Sequence, residues 1–341
     1  MASLRAQFAE LLAKLEPRVR EAFEAAIANL RNGVQIRLLV ERLERQDLDG
    51  AIEALNLDPA AYASFRMVLN ETFTAAGMLQ SSNIPQPPGQ RVVFRFDVAD
   101  PAAEQVIRQV TADRVTNIIE ADRQAARSAI LSGFQHGQHP SRIALDLAGR
   151  VGQGQNQRTG GIIGLSGPQE GYVQSMRARL LSGDPVEMAK VLEMTRRDKR
   201  FDRAIAKAIR DGKTLSQDDV AKITGRYSDR LLALRAETIA RTETGMAVMA
   251  ARQESFRQGL GKTGYPEQAV IRKWRHGGGG LEPRLLHIQM NGKTVQGLTE
   301  PFILPDGTRM MHPLDPAGGA RHCARCTCDM ELNIDYSWGL T

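Results

Sequence analysis

The three cysteines of the chain, Cys323, Cys326 and Cys328, lie within six residues of one another. Cys323 and Cys326 have the spacing of a zinc knuckle, and Cys328 could supply a third thiolate to the same Zn²⁺ ion. A second Cys-x-x-Cys pair is absent, so zinc is a possible cofactor and no cofactor is certain. The fourth ligand could come from one of four histidines: His276, His287, His312 or His322.

Other chemistry for these thiols stays open. A disulfide needs an oxidising compartment, and one bridge would leave an odd thiol. A nucleophilic cysteine could have its thiolate stabilised by His322 and Arg325, but the sequence offers no clear orienting partner. The simplest alternative is that the cysteines are small buried side chains of a reduced protein.

A second group is Arg241, Thr242 and Glu243, which interrupt an otherwise apolar-periodic helix. An arginine and a glutamate in this setting can form charge-assisted hydrogen bonds to a neighbouring loop. A catalytic glutamate would need a partner, and no second carboxylate, nucleophile or phosphate loop is evident. The sequence therefore favours an Arg–Glu bracket that docks the C-terminal part of the chain. His287 could be a ligand, an acid–base group or a packing residue.

The elements that position these residues are mainly helical. Residues 1–80 show apolar side chains at three- and four-residue steps and predict an N-terminal helical hairpin or bundle. Residues 81–90, with three prolines, predict a linker. Residues 91–167 predict a helical middle region, which contains a short strand at VVFRF (92–96) and a long helix that starts near Pro101.

Residues 168–341 form the last predicted domain. Its body is helical: short helices at 168–182, 185–194 and 201–211 precede a long one that runs from Ser216 to about Gly259. From about residue 265 glycine and proline become frequent, which indicates a small turn-rich α+β unit. Its predicted parts are a strand at VIRKW (270–274), a flexible HGGGG (276–280), extended pieces at LLHIQM and FILP, and a turn at Asn291-Gly292.

Charge and hydropathy limit the partners. The net charge is +6, and the basic excess follows residue 90 with a peak at RRDKR (196–200). Such a peak can attract nucleic acid, but interleaved acidic residues favour an ordinary solvated helix surface. The sequence contains no apolar run of membrane-spanning length, and its amphipathic start lacks the core of an export signal. We expect a soluble, intracellular protein with no membrane partner.

The order of these motifs resembles the bacteriophage Mu F-like minor head proteins, also called head morphogenesis proteins. The similarity is best from about residue 168 to 332. It consists of an arginine-threonine-glutamate on a long helix, a tryptophan in a strand, a histidine before a small turn, an aspartate–proline turn and a closing Cys-x-Cys. The matching residues are Arg241, Thr242, Glu243, Trp274, His287, Gly292, Asp315, Pro316, Cys326 and Cys328.

The resemblance implies a virion component of a tailed phage or prophage that is not an enzyme. Such minor capsid proteins lie inside the head near the portal vertex and reside in the host cytoplasm during assembly. The implied partners are the portal protein, the major capsid and scaffold proteins and, in some cases, packaged double-stranded DNA whose ejection they assist. The amphipathic N-terminal segment could dock a partner.

Two alternatives belong to other classes. One is an enzyme of the ADP-ribosyltransferase or a related type that uses Arg241, Glu243 and His287. The other is a zinc-stabilised nucleic-acid-binding module, for which DNA affinity would fall steeply with salt.

Overall fold

The computed structural model describes residues 2–152, 154, 156–278 and 283–339. The fold is mainly α-helical, as predicted. It comprises two compact units: the first contains residues 1–22, 64–113 and 237–341, and the second contains residues 23–63 and 114–236. Both units are built from segments that are distant in sequence, whereas the domains predicted from the sequence are contiguous. In the described part of the chain, no helix is long and apolar enough to cross a membrane.

The N-terminal segment is helical throughout, as its periodicity predicts. Buried Phe8, Leu15 and Val19 are seven and four residues apart, which places them on one helix face. Asp58 caps the 3-10 turn that precedes the fourth helix, since its side chain accepts a hydrogen bond from the backbone of Ala60. The helices are α1 (Leu4–Gly33), α2 (Ile36–Glu44), α3 (Leu48–Ala54) and α4 (Ala63–Ser81).

The predicted helices of the middle region and helical body are present with ends within a few residues of those expected. Two-residue strands β1 and β2 pair with each other in the glycine-rich loop, where Gln153 and Gln155 lie outside the described residues. The elements are α5 (Pro101–Gln135), α6 (Pro140–Ala148), β1 (Arg150–Val151), β2 (Arg158–Thr159), α7 (Gly167–Leu181), α8 (Pro185–Glu193), α9 (Asp202–Arg210) and α10 (Gln217–Thr263).

The predicted strand at residues 92–96 is wrong, because this segment pairs with no strand among the residues that the structure describes. Its aromatic side chains pack against helices instead. The Phe96 ring lies 5.6 Å from the Phe73 ring and against the bare backbone of Gly77, and Phe94 contacts a separate apolar cluster. Aromatic and β-branched residues favour a half-buried surface, which a helix face supplies here in place of a sheet.

The C-terminal part contains the predicted strand at 270–274, which is β3 (Val270–Arg275). It is the central strand of a three-stranded antiparallel sheet, between β4 (Thr294–Gln296) and β7 (Asp329–Ile334). LLHIQM is a helix and not an extended piece, and its buried His287 and Met290 have helical spacing. Gly279 and Gly280 of HGGGG lie outside the described residues. The elements are β3 (Val270–Arg275), α11 (Leu285–Met290), β4 (Thr294–Gln296), β5 (Phe302–Ile303), β6 (Arg309–Met310), α12 (Gly319–Cys323) and β7 (Asp329–Ile334).

A fully buried arginine, Arg272, anchors the loops that cover this sheet. Its Nε donates to the carbonyl of Gly297 at 2.7 Å, and its two terminal nitrogens donate to the carbonyls of Glu300 and Met311. Its guanidinium also lies over the Phe302 ring. Burial lowers the pKa of Arg272 to about 10, so the group stays charged at neutral pH.

The basic peak at 196–200 lies in the second unit, and two of its four basic side chains are paired with acids. Arg197 forms a two-pronged ion pair with Asp202, and Arg200 pairs with Asp198. The Arg200 hydrogen bond holds the pKa of Asp198 down to about 2 despite the burial of its carboxyl. These pairs support the interpretation of the segment as an ordinary helix surface.

Candidate metal centre

Three predicted ligands converge in the C-terminal part of the first unit. Cys326 and Cys328 lie in the loop between α12 and β7, and His287 lies in α11. Nδ1 of His287 is 3.5 Å from the Sγ atom of each cysteine, and all three ligand atoms lie within 4.8 Å of one another. All three side chains are buried. This group could hold a metal ion.

The sulfur–nitrogen distances fit a tetrahedral zinc ion. With Zn–S near 2.3 Å, Zn–N near 2.05 Å and a tetrahedral angle, sulfur and nitrogen are about 3.5–3.6 Å apart. The two observed separations are both 3.5 Å. Thiolate sulfur and imidazole nitrogen suit zinc and other late transition metals, whereas Mg²⁺ and Ca²⁺ prefer oxygen.

A chain of hydrogen bonds orients the histidine ligand. Nε2 of His287 is 3.1 Å from Nδ1 of His322, whose own Nε2 is 3.1 Å from a carboxylate oxygen of Asp306. With protons assigned to satisfy this chain, both Nε2 atoms donate, so Nδ1 of His287 presents a lone pair to the two sulfurs. Burial lowers the pKa of His322, which favours its neutral form. Carboxylate–histidine relays of this kind orient metal ligands in proteins.

Glycine at position 277, two residues after β3, permits the close approach of this part of the chain to the cysteine loop (residues 324–328). A Cβ atom there would lie 2.0 Å from the carbonyl oxygen of Thr327, the residue between the two ligand cysteines. The backbone of Gly277 also hydrogen-bonds Cys328 and favours its thiolate. Position 277 therefore fixes both the path of the loop and one contact to a ligand sulfur.

The two thiols have unlike protonation tendencies. The hydrogen bond with Cys328 lowers the pKa of Cys326, while the same hydrogen bond and burial raise the pKa of Cys328. With no cation bound, Cys326 therefore loses its proton at a lower pH than Cys328. A bound cation would favour the thiolate form of both.

The cysteine loop is joined to α10 through the arginine-threonine-glutamate segment. Oγ1 of Thr242 accepts a hydrogen bond from the backbone nitrogen of Arg325 at 3.0 Å. Arg325 has a left-handed backbone with φ of 55°, and its guanidinium pairs with Glu237. Arg241 is half-buried and Glu243 is buried. Thr242 therefore makes a direct contact between this helical segment and the loop.

The remaining predicted ligands have other partners. Sγ of Cys323 donates to the carbonyl of Asp315 at 2.9 Å, and Nδ1 of His312 lies 2.8 Å from the carbonyl of Pro313. His322 contacts His287 and not the sulfurs. Among the described residues, the potential metal-binding group therefore contains His287, Cys326 and Cys328 without these three.

Other residues of the motif shape the surroundings of this group. Trp274 is fully buried in β3, and its ring meets the His287 ring edge-on at 5.4 Å. Gly292 has a φ of 82° in the turn after α11, a conformation that favours glycine. Asp315 caps the turn that Pro316 begins. Both predicted turns are thus present.

Sequence reasoning missed Arg252, which joins three distant segments of the first unit. Its side chain pairs with Asp329, donates to the carbonyl of Met330, and donates through Nε to Gln80 at 2.9 Å. Its guanidinium lies 4.3 Å from the centre of the Phe8 ring. The available signal was a charged residue within the apolar stripe of α10, next to buried Ala251.

One curated protein is similar to part of this chain. The chain is 36% identical over 103 residues to Uncharacterized protein YqbB of Bacillus subtilis (strain 168). The match spans 30% of this chain and 31% of that protein. The chain matches no protein-family model and no solved structure.

Proposed function

We propose that the chain is a minor head protein of a tailed phage or prophage that acts in head morphogenesis near the portal. The observation that supports the proposal is the convergence of the motif residues: His287, Cys326 and Cys328 form one group, with Trp274 and the Asn291-Gly292 turn around it. Several of the residues on which the family resemblance is based are thus close together in the folded chain. Burial of His287 supports a structural role for the motif over a catalytic one.

The proposed partners are the portal protein and the major capsid or scaffold proteins, with packaged DNA as a further contact. The proposed location is the inside of the head, after assembly in the host cytoplasm. Quantitative mass spectrometry of DNA-filled heads from the encoding phage or induced prophage tests this proposal. We expect a few copies per particle in fixed ratio to the portal protein, and absence from both procapsids and filled heads would refute it.

We further propose that the ion at His287, Cys326 and Cys328 is zinc, which would stabilise the turn-rich C-terminal unit. The two sulfur–nitrogen separations of 3.5 Å support this choice. Elemental analysis of the purified chain should find one zinc per molecule. Cys326→Ser should lose it, whereas the matched variant Cys323→Ser, whose sulfur contacts a carbonyl instead, should retain it. Equal zinc content in both variants would exclude this ligand set.

A further inference from the structure

The candidate metal centre supplies three protein ligands where a structural zinc site has four. Cys323 contacts a backbone carbonyl, and His322 is hydrogen-bonded to the far side of the His287 ring. In the described part of the chain, no further histidine, cysteine or carboxylate joins the group. Zinc is almost always four-coordinate in structural sites, and three protein ligands are typical of sites with an exchangeable fourth position.

A cavity of about 320 Å³ reaches this centre from one side. Its walls include Cys326 and Cys328, together with Phe8 and Leu12 of α1 and Val248 of α10. His287 is absent from these walls, so the cavity borders the metal-binding group at its two cysteines. The volume corresponds to about ten water molecules at about 30 Å³ each, which is sufficient for a small ligand.

The charges around the cavity favour an anion. Arg5 and Arg241 line it, as do Glu16 and the ion pair formed by Arg252 with Asp329. Because that pair is internally balanced, the remaining lining has two cationic groups and one carboxyl. Burial raises the pKa of Glu16. Among described residues the Arg241 side chain has an electrostatic interaction with Glu16 and no hydrogen bond, so its donors are available.

We propose that a metal ion held by His287, Cys326 and Cys328 keeps its fourth coordination position open to this cavity and takes a small carboxylate-class anion there, with Arg241 balancing its charge. The inference rests on the metal centre proposed above. One anionic oxygen would coordinate the ion, and the ligand's second oxygen would accept from the guanidinium. The apolar residues on α1 and α10 would contact the rest of the ligand.

Cobalt substitution tests this proposal in the full-length chain. Co²⁺ is loaded in place of zinc, and its visible spectrum is recorded while acetate, or azide as a second small anion, is added. We expect one Co²⁺ per chain and a saturable change in the metal bands, because an exchangeable ligand alters the coordination of the ion. Arg241→Gln should weaken anion binding about tenfold, in line with the loss of one charge-assisted hydrogen bond, while Co²⁺ affinity is unchanged.

Two control variants separate the outcomes. Cys323→Ser should leave the sulfur-to-cobalt absorption unchanged, and Arg226→Gln, on the same helix but outside the cavity, should leave anion affinity unchanged. A spectrum that does not respond to either anion, together with loss of sulfur absorption in Cys323→Ser, would identify a closed four-ligand site and overturn the open position while retaining the metal. Failure to bind Co²⁺ or zinc would instead overturn the metal centre itself.

Discussion

The substitution Gly277→Ala tests the geometry of the candidate metal centre without removing a ligand. The new Cβ atom would lie 2.0 Å from the Thr327 carbonyl oxygen, and it cannot be relieved by rotating a side chain because the obstacle is backbone. An ordinary carbon–oxygen contact is above 3 Å, so β3 and the cysteine loop must separate by about 1 Å or more. Metal–ligand distances tolerate deviations of only about 0.2 Å.

A displacement of this size should weaken zinc binding by about 10- to 100-fold, the range found when groups that support metal ligands are removed. This corresponds to about 1.4–2.7 kcal/mol of binding free energy. The assay is competition for zinc with a chromophoric chelator of known affinity. It compares the parent chain, Gly277→Ala and Gly261→Ala.

Gly261→Ala is the matched control, because it lies in α10 with no atom within 4 Å of the added Cβ. Alanine is the better helix former, so this variant should bind zinc like the parent and be equally or slightly more stable. Equal zinc affinity in Gly277→Ala and the parent would refute the conclusion that this approach of strand and loop sets the ligand geometry.

Three further predictions concern charged groups. Arg252→Met should lower the free energy of unfolding by about 3–5 kcal/mol in denaturant titrations, because it leaves Asp329 largely buried without its cation; a loss below about 1 kcal/mol would contradict this. The pKa of Asp198 is lowered to about 2 by Arg200, so its contribution to stability is present above about pH 4 and is lost as the pH falls towards 2. Acid unfolding curves should therefore be shallower over that window for Asp198→Asn than for the parent, and parallel curves would argue against the shift. Asp306→Ala removes the carboxylate that ends the hydrogen-bond chain through His322 to the histidine ligand, and it should weaken zinc binding about tenfold in the chelator assay. Unchanged affinity would show that this chain does not orient the ligand.

The helical body was predictable because long helices repeat their apolar residues over many turns. α5 and α10 contain 35 and 47 residues, and both were recognised from periodicity and breakers alone. α11 has six residues, too few for a helical period to be told from an extended apolar run. The segment at 92–96 has the composition of a strand. Whether it forms one depends on a neighbouring strand to pair with, which its own sequence does not reveal.

Local spacing indicated part of the candidate site. Cys326 and Cys328 were among the predicted ligands because the three cysteines lie within six residues. The exclusion of Cys323 and the choice of His287 among the histidines depend on how the chain folds around the loop. The partners of Arg252 and Gly277 are distant in sequence or are backbone atoms, so a charged residue within the apolar stripe of α10 was the one local signal for Arg252 and none marked Gly277. Long-range contacts of this kind do not appear in composition, spacing or periodicity.

The discontinuity of the first unit has a consequence for synthesis on the ribosome. Arg252 connects Phe8 with Gln80 and Asp329, so the surroundings of Phe8 are completed by residues that are translated long after it. At about 5–20 residues per second, the roughly 300 residues between these segments take about 15–60 s to emerge. During that interval the segments of the second unit, residues 23–63 and 114–236, are available to associate first. Nascent chains halted before residue 237 should therefore expose the Phe8 surface to chaperones, and chains extended beyond β7 should no longer expose it.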